Sequence, residues 1–358
     1  MFRKVIAIGI IFLFVGVNTI SFVSSRETLE KRTVTTVVST YNEHIVDNEG
    51  DGNYTIIQDA IDNASDGDYI WVYSGNYSGN LVINKSLNII GLDEEYLNGN
   101  DTGNPSILGA EAYIEHTSAV VFSNFSLSGI PDIDKIKIEY TNDSFILNCT
   151  ADYLFLNNAY GNTIKNCEFA PKFDNFAGIN LLLSSNNIIT ENVCTAGASE
   201  TNFNVGICLQ ASDNNQILNN TCMANDSINI KGIDSAIHIS SSKGNNISNN
   251  ICWQSDIGIK IDYSENNYIS RNNITTNKDK GLLLTKSNNN EITQNNFINN
   301  PKHASFKKCK GTKWSKNYWD DLTFSPKLIF GTIGPFFGLI PWINIDWAPV
   351  KEPYNIMD

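Results

Sequence analysis

The side chains with the widest chemical repertoire in this sequence are a thiol and an imidazole, Cys208 and His238, which stand at the same offset in two consecutive, similar segments. Side by side they would offer one sulfur and one nitrogen, soft ligands of the kind that suit copper. Two ligands make an incomplete site, and the rival reading is a plain exposed pair. A second set lies where the connections 170–177, 195–205 and 223–235 outgrow their counterparts 253–257 and 275–280. These connections carry Phe173, Phe176 and Phe203 together with Asp174, Glu200, Asp226 and Asp234. Aromatic faces beside hydrogen-bonding acids suit a sugar chain, and Asn180 and Lys260 on the adjoining strands would extend that surface. The alternative is that long loops merely tolerate insertions.

Catalysis would leave other marks. A glycosidase calls for two or three carboxylates converging on one face, whereas from residue 135 onward, across the repeats, the one adjacent acid pair, Asp320-Asp321, falls in the terminal segment. A uronate lyase calls for a cation near carboxylates that can hold Ca²⁺. Between residues 50 and 302 the only arginine is Arg271, in a Ser-Arg-Asn-Asn bend. No C-x-x-C or paired-histidine motif signals zinc. No cofactor is therefore required, Ca²⁺ and copper remain optional ions, and the balance falls against an enzyme, with a polysaccharide lyase or glycoside hydrolase as the alternative.

What positions these residues is a repeat. Segments starting at Gly178, Gly206, Ala236, Gly258 and Gly281 return the same residue types at the same offsets. One column reads Ile179, Ile207, Ile237, Ile259 and Leu282; another reads Asn187, Asn215, Asn245, Asn267 and Asn290; a third reads Asn192, Asn220, Asn250, Asn272 and Asn295. Compositional bias, at 51 asparagines in 358 residues, would not confine Asn to fixed columns and exclude it from the isoleucine ones. Alternating apolar residues rich in β-branched Ile predict strands. A period near 22 residues with polar corners predicts a coil whose strands lie beside their equivalents in the next turn. Ile ladders would then fill the interior, and Asn amides at the bends would bond to the backbone and to each other. Cys194, Cys222 and Cys252 share an apolar column and read as buried free thiols, since stacked neighbours do not offer disulfide geometry.

The ends differ from the middle. Residues 54–64 show helical spacing of Ile57, Ala60, Ile61 and Ala64, which predicts a cap over the first coil, with Tyr69–Tyr73 beginning the first strand. Residues 320–358, with Trp314 and Trp319 just before them, read as an aromatic cap on the far end, or as a partner site. The uncharged run 328–345 contains Gly331, Gly334, Pro335, Gly338 and Pro341, which disfavour a membrane-spanning helix. Residues 1–25, with Arg3 and Lys4 ahead of an apolar stretch, read as an export signal or an uncleaved anchor, and 26–49 as a linker. Twelve N-x-S/T sequons are compatible with glycosylation after export or with chance in so Asn-rich a chain. A net charge of −13 leaves no field for nucleic acid. A monomer is expected, touching a membrane only through an uncleaved N-terminal segment.

The stretch Tyr54-Thr55-Ile56-Ile57-Gln58-Asp59-Ala60-Ile61, with Gly67-Asp68, Gly75-Asn76-Tyr77 and Asn84-Lys85-Ser86-Leu87-Asn88-Ile89-Ile90-Gly91, resembles the opening coils of right-handed parallel β-helix proteins of the pectin-lyase-like superfamily, more specifically the NosD-like group. The ending Asn317-Tyr318-Trp319-Asp320-Asp321 and Ile340-Pro341-Trp342-Ile343-Asn344-Ile345-Asp346-Trp347 is similar to that group's closing segment. The resemblance implies an all-β solenoid over 50–319, exported to the cell surface, and it makes copper handling by Cys208 and His238 a further alternative. The Gly-His-Gly and Arg-Ile-Lys signatures of the polygalacturonase branch are absent, and the Asp-Asp pair at 320–321 falls in the terminal segment. Since this superfamily hosts many activities, the expectation is an extracellular structural or binding module whose partner is a polysaccharide or surface glycan.

Overall fold

The computed structural model describes residues 41–50, 52–94, 103–128, 135–171, 177–196, 204–224, 234–334 and 340–356. The export-signal and anchor readings of 1–25 therefore fall outside the described residues. Alternation produces the expected strands: in Ser235–Ser240, Ile237 and Ile239 point into the core and His238 and Ser240 point out. Among the described residues the strands form three parallel ladders. A terminal antiparallel hairpin, Lys327–Ile333 with Ile340–Asp346, joins two of them into a 24-stranded sheet, and the third has 11 strands. Ile217 lies in register between Ile189 and Ile247, and all three are fully buried. The fold is a right-handed parallel β-helix, the hand that parallel crossovers favour.

Corners are made by residues in the left-handed region. Ser241, Asn249 and Gln254 have φ of 51°, 56° and 51°, a conformation Asn tolerates better than most residues. Beside these corners the Asn columns satisfy backbone groups that no strand reaches. Asn215 Oδ1 accepts from the Asn187 backbone N–H at 2.9 Å and from its Nδ2 at 3.1 Å, while Asn215 Nδ2 donates to Ser184 O at 3.0 Å and to Asn245 Oδ1 at 3.2 Å. The glycines that open each segment are fixed by close approach: a Cβ on Gly281 would sit 2.5 Å from the His303 carbonyl oxygen of the next coil. The seven cysteines are free and buried, and Cys194, Cys222 and Cys252 are consecutive register neighbours.

The cap helix runs Ile57–Asn63 and buries Ile57, Ala60 and Ile61. The coil begins earlier than expected, however. Glu43–Val46, within the expected linker, pairs in parallel with Tyr69–Val72, so Tyr69 opens the second rung rather than the first. Four residues are too short to show a period. At the far end Asp346 closes the second Asn column: it is fully buried, and its Oδ2 accepts from Asn317 N and Nδ2, both at 3.0 Å, and from Trp319 Nε1 at 3.2 Å. Trp319 stacks on Phe297 at 4.3 Å and, with Trp314, seals the core. Trp342 and Trp347, expected in the same role, are exposed instead. Among the described residues no helix is long and apolar enough to cross a membrane, and residues 328–333 and 340–345 of the uncharged run lie in the two paired strands.

Candidate functional site

Four parallel strands, Ala177–Leu182, Val205–Gln210, Ser235–Ser240 and Ile257–Asp262, turn their inward residues into the core and leave the outward ones to face one another across the sheet. One outward row reads Asn180, Cys208, His238, Lys260; the next reads Leu182, Gln210, Ser240, Asp262. The two rows meet at a charged knot. His238 Nε2 lies 3.2 Å from Asp262 Oδ2, and Lys260 Nζ lies 3.5 Å from the same oxygen. Burial alone would raise the Asp262 pKa, but the His238 hydrogen bond and the Lys260 charge overcome it and hold the carboxylate below its ordinary value.

Beside the knot Ala177, Val205 and Cys208 form a small buried apolar cluster outside the main core. Burial pushes the Cys208 thiol up to about 11, against the opposing effects of a Gln210 Nε2 donor at 3.6 Å and of Lys260. Among the described residues, Asn180 Oδ1 and Ser235 Oγ are buried without a hydrogen-bond partner. The arrangement can donate and accept hydrogen bonds along several rungs and present one fixed anion.

The period thus placed Asn180, Cys208, His238 and Lys260 together correctly, and missed Asp262 and Gln210, which occupy a row of mixed residue types. Phe173, Asp174, Phe176, Glu200, Phe203 and Asp226 lie outside the described residues. Asp234 corrects the expectation of an exposed ridge: it is buried at the corner, where its Oδ1 accepts from the Asn204 backbone N–H at 3.1 Å, because it belongs to the column that continues into Asp256 rather than to the loop before it. Burial raises its pKa.

A second cluster escaped the sequence. His303 Nε2 lies 2.7 Å from Asp320 Oδ1 and 3.2 Å from Asp321 Oδ1, and among the described residues these are the three donor groups close enough to share a metal ion. Each already has a partner. Lys327 Nζ binds both Asp321 oxygens, at 2.5 and 2.6 Å, and the Asn299 N–H donates to Asp320 Oδ2 at 2.6 Å. Burial holds the His303 pKa below its ordinary value despite both acids. A neutral imidazole donating from Nε2 to Asp320 explains the geometry as a latch on the last coil.

Residues 156–324 match the family model described as "Periplasmic copper-binding protein (NosD)". The central coils are NosD-like. The NosD-matching segment contains the whole polar face and the His303 cluster, and it stops before the terminal hairpin. Among solved structures the chain is similar to the Dettilon tailspike protein (gp208), with TM-score 0.54 and 14% identity over 70% of this chain and 56% of that one, so it spans just over half of that tailspike's length. It is also similar to a double mutant of the periplasmic alginate epimerase AlgG, with TM-score 0.49 and 14% identity over 72% and 67%. A third is the A-module of the Azotobacter vinelandii mannuronan C-5 epimerase AlgE6, with TM-score 0.40 and 13% identity over 73% and 87%. At these identities the likeness is one of fold. No curated protein matches the sequence. At the expected pair Cys208 is buried and His238 Nε2 is engaged by Asp262, and no third donor of the described residues lies close enough to share a metal ion with both.

Proposed function

We propose that this protein is an exported polysaccharide-binding module, with the outward face of the four strands as its binding surface. One observation carries the reading: side chains at a single register position pass from Asn180 to Cys208, His238 and Lys260 while their inward neighbours stay aliphatic, so this face is varied in chemistry where the core is uniform. The polar and charged side chains of this row, Asn180, His238 and Lys260, suit the hydroxyls of sugar rings. The fold it shares with a tailspike is compatible with a long polymer laid across several rungs, and the periplasmic description of the matching family supports export.

The test is titration of the full chain with uronate-containing and neutral polysaccharides, alongside an assay for released reducing or unsaturated ends. Binding without turnover, weakened at least tenfold in Lys260→Ala, is expected. Turnover would replace the reading by an enzyme, and Cu(I) uptake abolished in Cys208→Ser would replace it by a metal carrier.

A further inference from the structure

The terminal hairpin is fastened to the coil stack by Asp346 yet left largely uncovered. Its register puts Leu328, Phe330, Ile343 and Ile345 on one face and Ile329, Ile333, Ile340, Trp342 and Asp346 on the other, where Ile329 and Asp346 are buried against the last coil while Ile340 and Trp342 stay exposed. Phe330 is 57% exposed and Trp342 51%, so bulky apolar surface is open on both faces. Phe324 and Trp347, just before and just after the hairpin, are more exposed still. Trp and Phe are the side chains that settle in an interfacial lipid layer.

The charge beside the hairpin names the kind of lipid. Lys307 pairs with Thr332, and the Lys308 N–H donates to Thr332 O at 2.7 Å, which sets the last coil's corner at the hairpin's side. Lys307, Lys308, Lys310, Lys313 and Lys316 are all exposed, in a chain of net charge −13. A lysine-rich coil next to exposed aromatic residues complements anionic headgroups. A second copy docked end to end would set these lysines against their own kind. We propose that the hairpin is a membrane-docking element that seats the C-terminal end of the β-helix on an anionic bilayer surface.

The test uses the full chain and vesicles of phosphatidylcholine with and without phosphatidylglycerol, the acyl chains brominated to quench tryptophan emission on contact. Because the apolar run 5–23 can bind vesicles by itself, quenching rather than sedimentation is the criterion. Quenching is expected with phosphatidylglycerol and is expected to fall sharply in Trp342→Phe, a mild change at an exposed position. Lys307→Gln and Lys308→Gln should each lower vesicle affinity about fivefold. Unquenched bound chain, quenching indifferent to Trp342 and to the lysines, or a lipid-free dimer abolished by Phe330→Ser would each overturn the proposal.

Discussion

The two sides of the same strands obey opposite rules. Facing in, Ile179, Ile207, Ile237, Ile259 and Leu282 are register neighbours of one another and fully buried. Facing out, one position along, Asn180, Cys208, His238, Lys260 and Leu283 share the same backbone geometry and no common chemistry. In the interior each side chain is the packing surface for the next, so a departure in one coil leaves a void or a clash in two others. Outside, a residue need only suit solvent or a ligand. Stability therefore concentrates inside and recognition outside, and the comparison can be broken by substitutions that ought to differ greatly although they lie close together.

The largest effect belongs to the asparagine columns. Asn220 Oδ1 accepts from Asn192 N and Nδ2, both at 3.0 Å, and its Nδ2 donates to Ile189 O at 2.8 Å and to Asn250 Oδ1 at 3.0 Å. Asn220→Leu keeps the volume and removes four hydrogen bonds in a dry interior, leaving the Asn192 backbone N–H and one Asn192 Nδ2 hydrogen without their acceptor while Asn250 Oδ1 keeps the Asn220 N–H. With about 1–3 kcal/mol for each unsatisfied group, partial relaxation leaves a loss of about 4 kcal/mol or more. Urea unfolding should show it as a lowered midpoint. A midpoint unchanged within error would mean that the ladders are ornament and that the aliphatic columns alone hold the coils.

The same columns explain what was legible from residues alone. From Asn162 to Asn290 the first column is unbroken and the period could be read directly. Upstream the equivalent positions are Asn42, Asp68, Leu87, Val120 and Ser144, tied into the same column by backbone bonds such as Asn88 N to Asp68 O and Val121 N to Leu87 O. The type changes while the place does not, and for that reason the strand at Glu43–Val46 went unseen. On the outer face the period located Asn180, Cys208, His238 and Lys260. It could not show that His238 reaches Asp262, two residues beyond its own register partner, because side-chain direction across rungs is not written in spacing. His303, Asp320 and Asp321 come together only where the last coil closes and the repeat has ended.

The next effect, smaller, concerns the first rung. Asn42 N–H donates to Asp68 Oδ1 at 2.8 Å, the hand-over that Asn187 makes to Asn215, but with a carboxylate as acceptor. Burial would raise the Asp68 pKa; the Ser65 and Asn42 backbone donors and His44 outweigh it and bring it to about 2. A depressed carboxyl contributes stability that is fully present above its unfolded pKa near 4 and is lost as pH falls through 2. Allowing for solvent at the end of the stack, that contribution is about 1–2 kcal/mol. Asp68→Asn, which keeps the acceptor oxygen, should lose less stability than the wild type between pH 4 and pH 2. Equal acid losses would show that the first rung does not depend on the charge.

The smallest stability effect is expected on the outward face, and it is the sharpest check on the opening contrast. His238→Gln removes the bond to Asp262 Oδ2, in a pair that solvent still reaches. Such pairs contribute about 1 kcal/mol or less, and Lys260, 3.5 Å from the same oxygen, stays to balance the carboxylate. The unfolding midpoint should barely move while polysaccharide affinity falls, because the outward row is shaped by what it touches rather than by what it supports. A loss as large as that of Asn220→Leu would instead mean that the charged knot braces the coils, and the division of labour between the two sides of the strands would no longer hold.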